Sequence, residues 1–306
     1  MKKLTTLILS IFILTSAFGF SGCSDKNLSQ QGKNIITAKE AVKLIKDNKA
    51  VLVDVQTKEE YGKAHIKGAV SVSLEDITQN VPYPNMLASK GKIEETFKNA
   101  GISNDSIVIA YDNSANMNAA RLWWTGMIYG FENIKVISGG IKALEEEKLD
   151  ITADVPAVTK GNFTAKDKND NMLATLSQVK EQVNNPDADV ILLDTRTEKE
   201  YKEGTIPGSI LFDYAENNYS DGTYKSVQNI LIQYKEKKIT PDKTIIMYCK
   251  TSIRGAQTYL ALYNAGYRNM KLYDGAYVEW SSIPSLPIQK EDAGSAPVSP
   301  SKNDNS

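Results

Sequence analysis

Two short apolar runs, Val51-Leu52-Val53-Asp54 and Ile191-Leu192-Leu193-Asp194, break off alike on an aspartate. Runs of this length, rich in β-branched residues and leucine and without polar alternation, predict strands covered on both faces. Ser106-Ile107-Val108-Ile109-Ala110-Tyr111 and Thr244-Ile245-Ile246-Met247-Tyr248 are of the same kind. Between such runs the period changes to that of a helix. Ala41, Leu44 and Ile45 share a face behind Thr37, whose partner Glu40 completes a capping box. Ala256, Tyr259, Leu260 and Tyr263 form a second apolar face, closed by Gly266 at the C′ position. Strands alternating with helices predict an α/β fold, a parallel sheet flanked by helices.

The pattern occurs twice. Asp194, Glu200-Tyr201 and Gly208 each stand 140 positions after Asp54, Glu60-Tyr61 and Gly68. A constant offset over separated matches indicates duplication of a whole domain. The copies are expected at residues 35–149 and 171–288, joined by a polar linker at 150–170 that Pro156 and Gly161 interrupt. They part company after the later strand. The second continues Tyr248-Cys249-Lys250-Thr251-Ser252-Ile253-Arg254-Gly255 and the first Tyr111-Asp112-Asn113-Ser114-Ala115-Asn116-Met117-Asn118. Aligned on the tyrosines, Asp112 stands where Cys249 stands, so thiol chemistry belongs to the second copy alone.

The ends lie outside this pattern. Met1-Lys2-Lys3 precedes an uncharged apolar run and then Phe20-Ser21-Gly22-Cys23, an export leader with small residues before a cysteine. That ending resembles a bacterial lipobox, which implies lipidation of Cys23 and anchoring to the outer face of the cell membrane. Residues 24–34 read as a tether, and residues 289–306 as a disordered tail with too few apolar positions to pack. A net charge of −1 offers no basic field for nucleic acid. A single histidine, His65, argues against a zinc site or a Ser-His-Asp triad. With Cys23 assigned to the leader, Cys249 has no partner for an internal disulfide.

Cys249 falls at the turn from a strand into a helix, outside the carboxyl end of a parallel sheet, where ligands gather. Successive backbone N–H groups and the positive end of the helix dipole favour the thiolate there, with Lys250 and Arg254 adding charge. The same residues resemble the active loop of the rhodanese sulfurtransferases. Asp194-Thr195-Arg196 with Gly204-Thr205-Ile206-Pro207-Gly208-Ser209 resembles the family's opening signature. Tyr273-Asp274-Gly275-Ala276-Tyr277-Val278-Glu279-Trp280 resembles its closing one. Arg121-Leu122-Trp123-Trp124 and Ser138-Gly139-Gly140 resemble the inactive first domain of tandem members.

The resemblance implies two tandem rhodanese-like domains. It implies that Cys249 carries sulfur as a persulfide within the loop formed by Lys250, Thr251, Ser252, Ile253 and Arg254. Arg196, Lys250 and Arg254 are expected at the donor, thiosulfate is favoured over mercaptopyruvate through Lys250, and a thiol or cyanide is the acceptor. No metal or organic cofactor is implied. Cysteine phosphatases of related fold place five residues between cysteine and arginine; here four intervene, which suits a single sulfur atom. A persulfide carrier or sensor with little turnover is the alternative. His65, Trp123 and Trp124 read as structural, and Asp54 and Asp194 as acceptors for loop backbone groups.

Overall fold

The computed structural model describes residues 33–46 and 50–290. The expected leader with Cys23, the tether up to residue 32 and the tail from residue 291 lie outside the described residues. The first copy forms β1 (Ile35–Ile36), β2 (Val51–Asp54), β3 (Val70–Ser71), β4 (Val108–Tyr111) and β5 (Ile134–Ile137), in the order β1-β5-β4-β2-β3. The second forms β6 (Leu173–Ala174), β7 (Val190–Asp194), β8 (Ile210–Leu211), β9 (Thr244–Tyr248) and β10 (Met270–Tyr273), in the order β6-β10-β9-β7-β8. All pairings in both sheets are parallel. The same order twice is what a duplicated domain produces. Strand order reverses between β2 and β4 and between β7 and β9, the switch point at which such sheets bind ligands. Asp194 pairs with Tyr248 there, so Cys249 opens directly onto that point.

The helices fix how the copies meet. α1 (Ala38–Lys46) starts with the expected capping box: Thr37 N–H donates to Glu40 Oε2 at 2.9 Å, and Glu40 N–H returns to Thr37 Oγ1 at 3.2 Å. α2 (Met117–Ile128) follows β4, α3 (Glu198–Glu203) follows β7, and α4 (Ile253–Asn264) follows β9. Nine of the twelve residues are buried in α2, and nine of twelve in α4. Helices covered all round belong in the centre of a protein. They pack on each other across the domain boundary, with the Trp123 ring 5.2 Å from Tyr263 and 6.2 Å from Tyr259. One apolar cluster therefore runs from Phe97 and Trp123 through to Leu260 and Leu272. Gly255 permits the close approach of α4 to β10, since a Cβ there would fall 2.6 Å from Leu272 Cδ1.

The boundaries are tighter than the polar sequence implied. Within the expected linker, Ile151–Thr152 pairs with His65–Ile66, and Phe163 is fully buried with its ring 4.9 Å from Phe97. A lone phenylalanine in a polar stretch has no periodicity to announce it. The tail expected from residue 289 begins later, because

Across the boundary Arg121 of α2 is fully buried, lies over the Trp124 ring and donates through Nη2 to Asp274 Oδ1 at 2.8 Å. Removing one member of a buried ion pair strands the other in an apolar setting. Arg121→Ala is expected to cost about 3–5 kcal/mol in urea unfolding. Because the core is continuous, wild-type unfolding is expected to be one transition by near- and far-ultraviolet circular dichroism alike. Two separate transitions would show that the copies are energetically independent.

Candidate active site

The loop after β9 begins with Cys249, which is 1 % exposed. Burial of this degree is also what an inert packed cysteine shows, so the surroundings decide. Lys250 is exposed, Thr251 half-buried and Ser252 buried in the left-handed region at φ 67°. The Ser252 hydroxyl lies 3.0 Å from Tyr273 O and 2.8 Å from Asp274 O, which pins this turn to the end of β10. The loop's carbonyls are engaged elsewhere, Cys249 O by Tyr277 N–H at 3.0 Å and Lys250 O by Val278 N–H at 3.2 Å. Among the described residues, no backbone N–H from Lys250 to Gly255 meets a protein oxygen. These are the orphan donors of a helix start, aligned with the helix dipole, and they form an anion site that Cys249 opens.

The first copy shows the same site filled. Asp112, 1 % exposed, accepts from Ser114 N–H and Asn116 N–H at 3.0 Å each through Oδ1, and from Ala119 N–H at 2.9 Å through Oδ2. Burial pushes its carboxyl up, while the N–H groups of Ala119, Ser114 and Asn116 pull it down. The loops also differ in length, which alignment on the tyrosines does not show. Five residues separate Tyr111 from α2 and four separate Tyr248 from α4. The extra one makes two consecutive left-handed residues, Ala115 and Asn116, where the second copy has Ser252 alone.

Of the three cations expected at the donor, the structure distinguishes three situations. Lys250 is exposed and has no carboxylate partner among the described residues. Arg254 is forked onto Glu200, with Nη1 at 2.5 Å and Nη2 at 2.8 Å, and lies over the Tyr214 ring. Burial works against its charge, but Glu200 and then Cys249 outweigh that and hold it above its ordinary range. Arg196 does not match the expectation. It is 3 % exposed, paired with Asp194 through Nε at 3.0 Å and Nη2 at 2.6 Å, and its Nη2 also donates to Gly204 O. Its guanidinium lies 3.8 Å from the Tyr277 ring centre. With its donors turned to a buried carboxylate, it is a strut beneath the loop rather than a hand for the donor.

Asp194 is the hub of that support, accepting also from Arg196 N–H at 3.0 Å, Thr205 Oγ1 at 2.9 Å and Tyr248 Oη at 3.1 Å. Asp54 plays the reduced version, holding the backbone and side-chain amides of Gln56 at 2.8 Å. His65 is fully buried, stacked on Tyr61 and placed between the carbonyls of Tyr61 and Asp154.

A family model for the rhodanese-like domain matches residues 37–147 and again residues 175–283. The chain belongs to the rhodanese-like domain family. Among its relatives, the sulfur carrier protein TtuD of Thermus thermophilus is 27 % identical, over 75 % of this chain and 87 % of that one. The thiosulfate sulfurtransferase of Gallus gallus is 27 % identical, over 73 % of this chain and 80 % of that one. The solved structure of SseA from Escherichia coli, described as a 3-mercaptopyruvate sulfotransferase, has a TM-score of 0.72 at 23 % identity, covering 79 % of this chain and 98 % of that one. It shares the rhodanese fold.

The rhodanese-like copies also brace each other, and this the sequence did not signal. The hairpin Thr78–Gln79 and Met86–Leu87 of the first copy reaches the second, where Leu87 N–H donates to Asp274 Oδ2 at 2.7 Å and Asn85 Nδ2 to Thr251 Oγ1 at 3.1 Å. In return Tyr224 N–H donates to Ser138 Oγ at 2.8 Å and Asn116 Nδ2 to Gly222 O at 2.8 Å. The turn residues Pro82-Tyr83-Pro84-Asn85 mark a loop in the sequence, but nothing in them says where it lands.

Two predictions follow from these charges. Arg254 holds the Glu200 carboxyl down at about 2, against an ordinary 4.5. A depressed carboxyl stabilises the fold fully above its ordinary value and loses that contribution as pH falls through its folded value. Glu200→Gln is expected to remove roughly 2 kcal/mol of stability at neutral pH and to flatten the stability profile between about pH 4.5 and 2. Denaturant titrations at several pH values measure both. Asp112→Ala leaves three N–H groups without an acceptor and is expected to cost about 1–3 kcal/mol, with Cys249 alkylation by iodoacetamide unchanged.

Proposed function

We propose that this rhodanese-like chain is a sulfurtransferase that takes sulfane sulfur from thiosulfate and passes it to a thiol or cyanide through a persulfide on Cys249. The thiolate attacks the outer sulfur of thiosulfate; a Cys249–sulfur bond forms, the sulfur–sulfur bond of thiosulfate breaks, and its electron pair leaves with sulfite. Cyanide then attacks the outer persulfide sulfur, thiocyanate leaves and the Cys249 thiolate returns. No cofactor takes part in either step.

One observation carries the reading. The donors that hold the Asp112 carboxylate in the first copy have counterparts in the second that meet no protein oxygen and surround a sulfur. Preorganised donors of this kind stabilise an anion without reorganising as it forms. Lys250, exposed beside them, suits the negative end of thiosulfate, while Arg254 contributes through its field and is kept in place by Glu200. The names carried by the relatives agree with sulfur transfer, and the Thermus relative favours a second reading in which the persulfide is held for a partner. The leader pattern supports placing the protein outside the cytoplasm on a lipid at Cys23.

Intact-protein mass after incubation with thiosulfate tests this. Wild type is expected to gain one sulfur atom that cyanide removes, and Cys249→Ser to gain none. Repeated turnover with cyanide favours the enzyme, and a stable adduct that only a protein acceptor discharges favours the carrier. No adduct in wild type would end both readings.

A further inference from the structure

The copy without a cysteine reaches the active loop at one side chain. Asn85 Nδ2 donates to Thr251 Oγ1 at 3.1 Å, across 166 positions of sequence. An amide nitrogen only donates, so the Thr251 oxygen must accept, and the hydroxyl proton is left to point elsewhere. Asn85 is itself held on every side. It sits at φ 61°, a left-handed conformation that asparagine tolerates. Its N–H donates to Asn80 Oδ1 at 3.0 Å, and its carbonyl accepts from the buried Arg121 Nη2 at 2.9 Å. The same Arg121 nitrogen binds Asp274, whose carbonyl in turn accepts from Ser252 Oγ of the loop. One buried clamp thus fixes the donor segment and the loop against each other.

The half-buried Thr251 stands next to the exposed Lys250 at the entrance of the loop. A free hydroxyl proton beside an ammonium group makes a place for oxyanion oxygens. We propose that Asn85 is a positioning residue: by engaging the Thr251 oxygen it presents the Thr251 proton to the sulfonate end of the sulfur donor. This rests on the sulfur-transfer reading above. As the donor's sulfur–sulfur bond breaks, charge moves onto the departing sulfite, so a donor aimed at its oxygens strengthens in the transition state. A donor lacking a sulfonate has nothing for this proton to hold.

The test compares rates of sulfur loading onto Cys249 in the full chain, from thiosulfate and from inorganic polysulfide. Asn85→Gly keeps the left-handed backbone and removes the amide; Thr251→Val removes the hydroxyl at similar volume; Thr251→Ser restores it. Each of the first two is expected to slow loading from thiosulfate about tenfold or more, the scale of one hydrogen bond to a charged group. The double variant is expected to be no slower than either single one, Thr251→Ser to recover most of the rate, and polysulfide loading to stay within about twofold of wild type, as befits loss of a contact that this donor never makes. Equal slowing with both donors would overturn the proposal in favour of a structural role, and so would an Asn85→Gly rate equal to wild type. If thermal melting shows Asn85→Gly to be unfolded, the Thr251→Val and Thr251→Ser pair decides by the same donor comparison. Wild type that loads from neither donor would overturn the sulfur-transfer reading itself, an outcome separate from all of these.

Discussion

Backbone N–H groups at the start of a buried helix must find an acceptor, and much of this molecule is arranged around that requirement. α2 and α4 lie at the centre of the protein, so their first turns open inside a crevice rather than on a convex surface. Each copy answers differently. The first supplies Asp112, a carboxylate carried in the chain itself, and the site is closed. The second supplies a sulfur and leaves its N–H groups from Lys250 to Gly255 without a protein oxygen. One substitution and one residue of loop length separate a structural plug from a candidate nucleophile.

The requirement also accounts for keeping both copies. A crevice between helix starts exists because the two central helices pack on each other, and neither has another apolar surface to cover it. The bracing segments are exchanged in the manner of a two-fold dimer written into one chain. Leu87 N–H meets Asp274 after β10, and Tyr224 N–H meets Ser138 after β5. Arg121 of α2 engages Asn85 where, four positions into α4, Gln257 engages Asn218. A domain that has lost its chemistry still forms one wall of its partner's site.

What the sequence made legible was local. Strand ends at Asp54, Asp194, Tyr111 and Tyr248, the Thr37–Glu40 box, the helix behind Cys249 and the constant offset all follow from neighbours within a few positions. What stayed hidden joins distant positions: Arg121 to Asp274 over 153 residues, Asn85 to Thr251 over 166. No period or motif encodes such a pair. Arg196 was misplaced for a related reason. Its residue type suits an oxyanion, but Asp194 two positions earlier is nearer and equally buried, and a carboxylate within the fold takes precedence over one arriving from solvent.

The three cations thereby acquire separate physical roles. An arginine held by a buried carboxylate contributes geometry, because its field is largely cancelled at close range. Arg254 is intermediate: Glu200 fixes its fork, yet its charge is still felt at Cys249. Lys250, exposed and unpaired among the described residues, keeps its full charge but loses much of it to solvent screening. The strongest fixed field at the sulfur then comes from backbone dipoles, which neither titrate nor move. That division leaves the side chains at the entrance, Lys250 and Thr251, to choose among anions that the loop itself would accept alike.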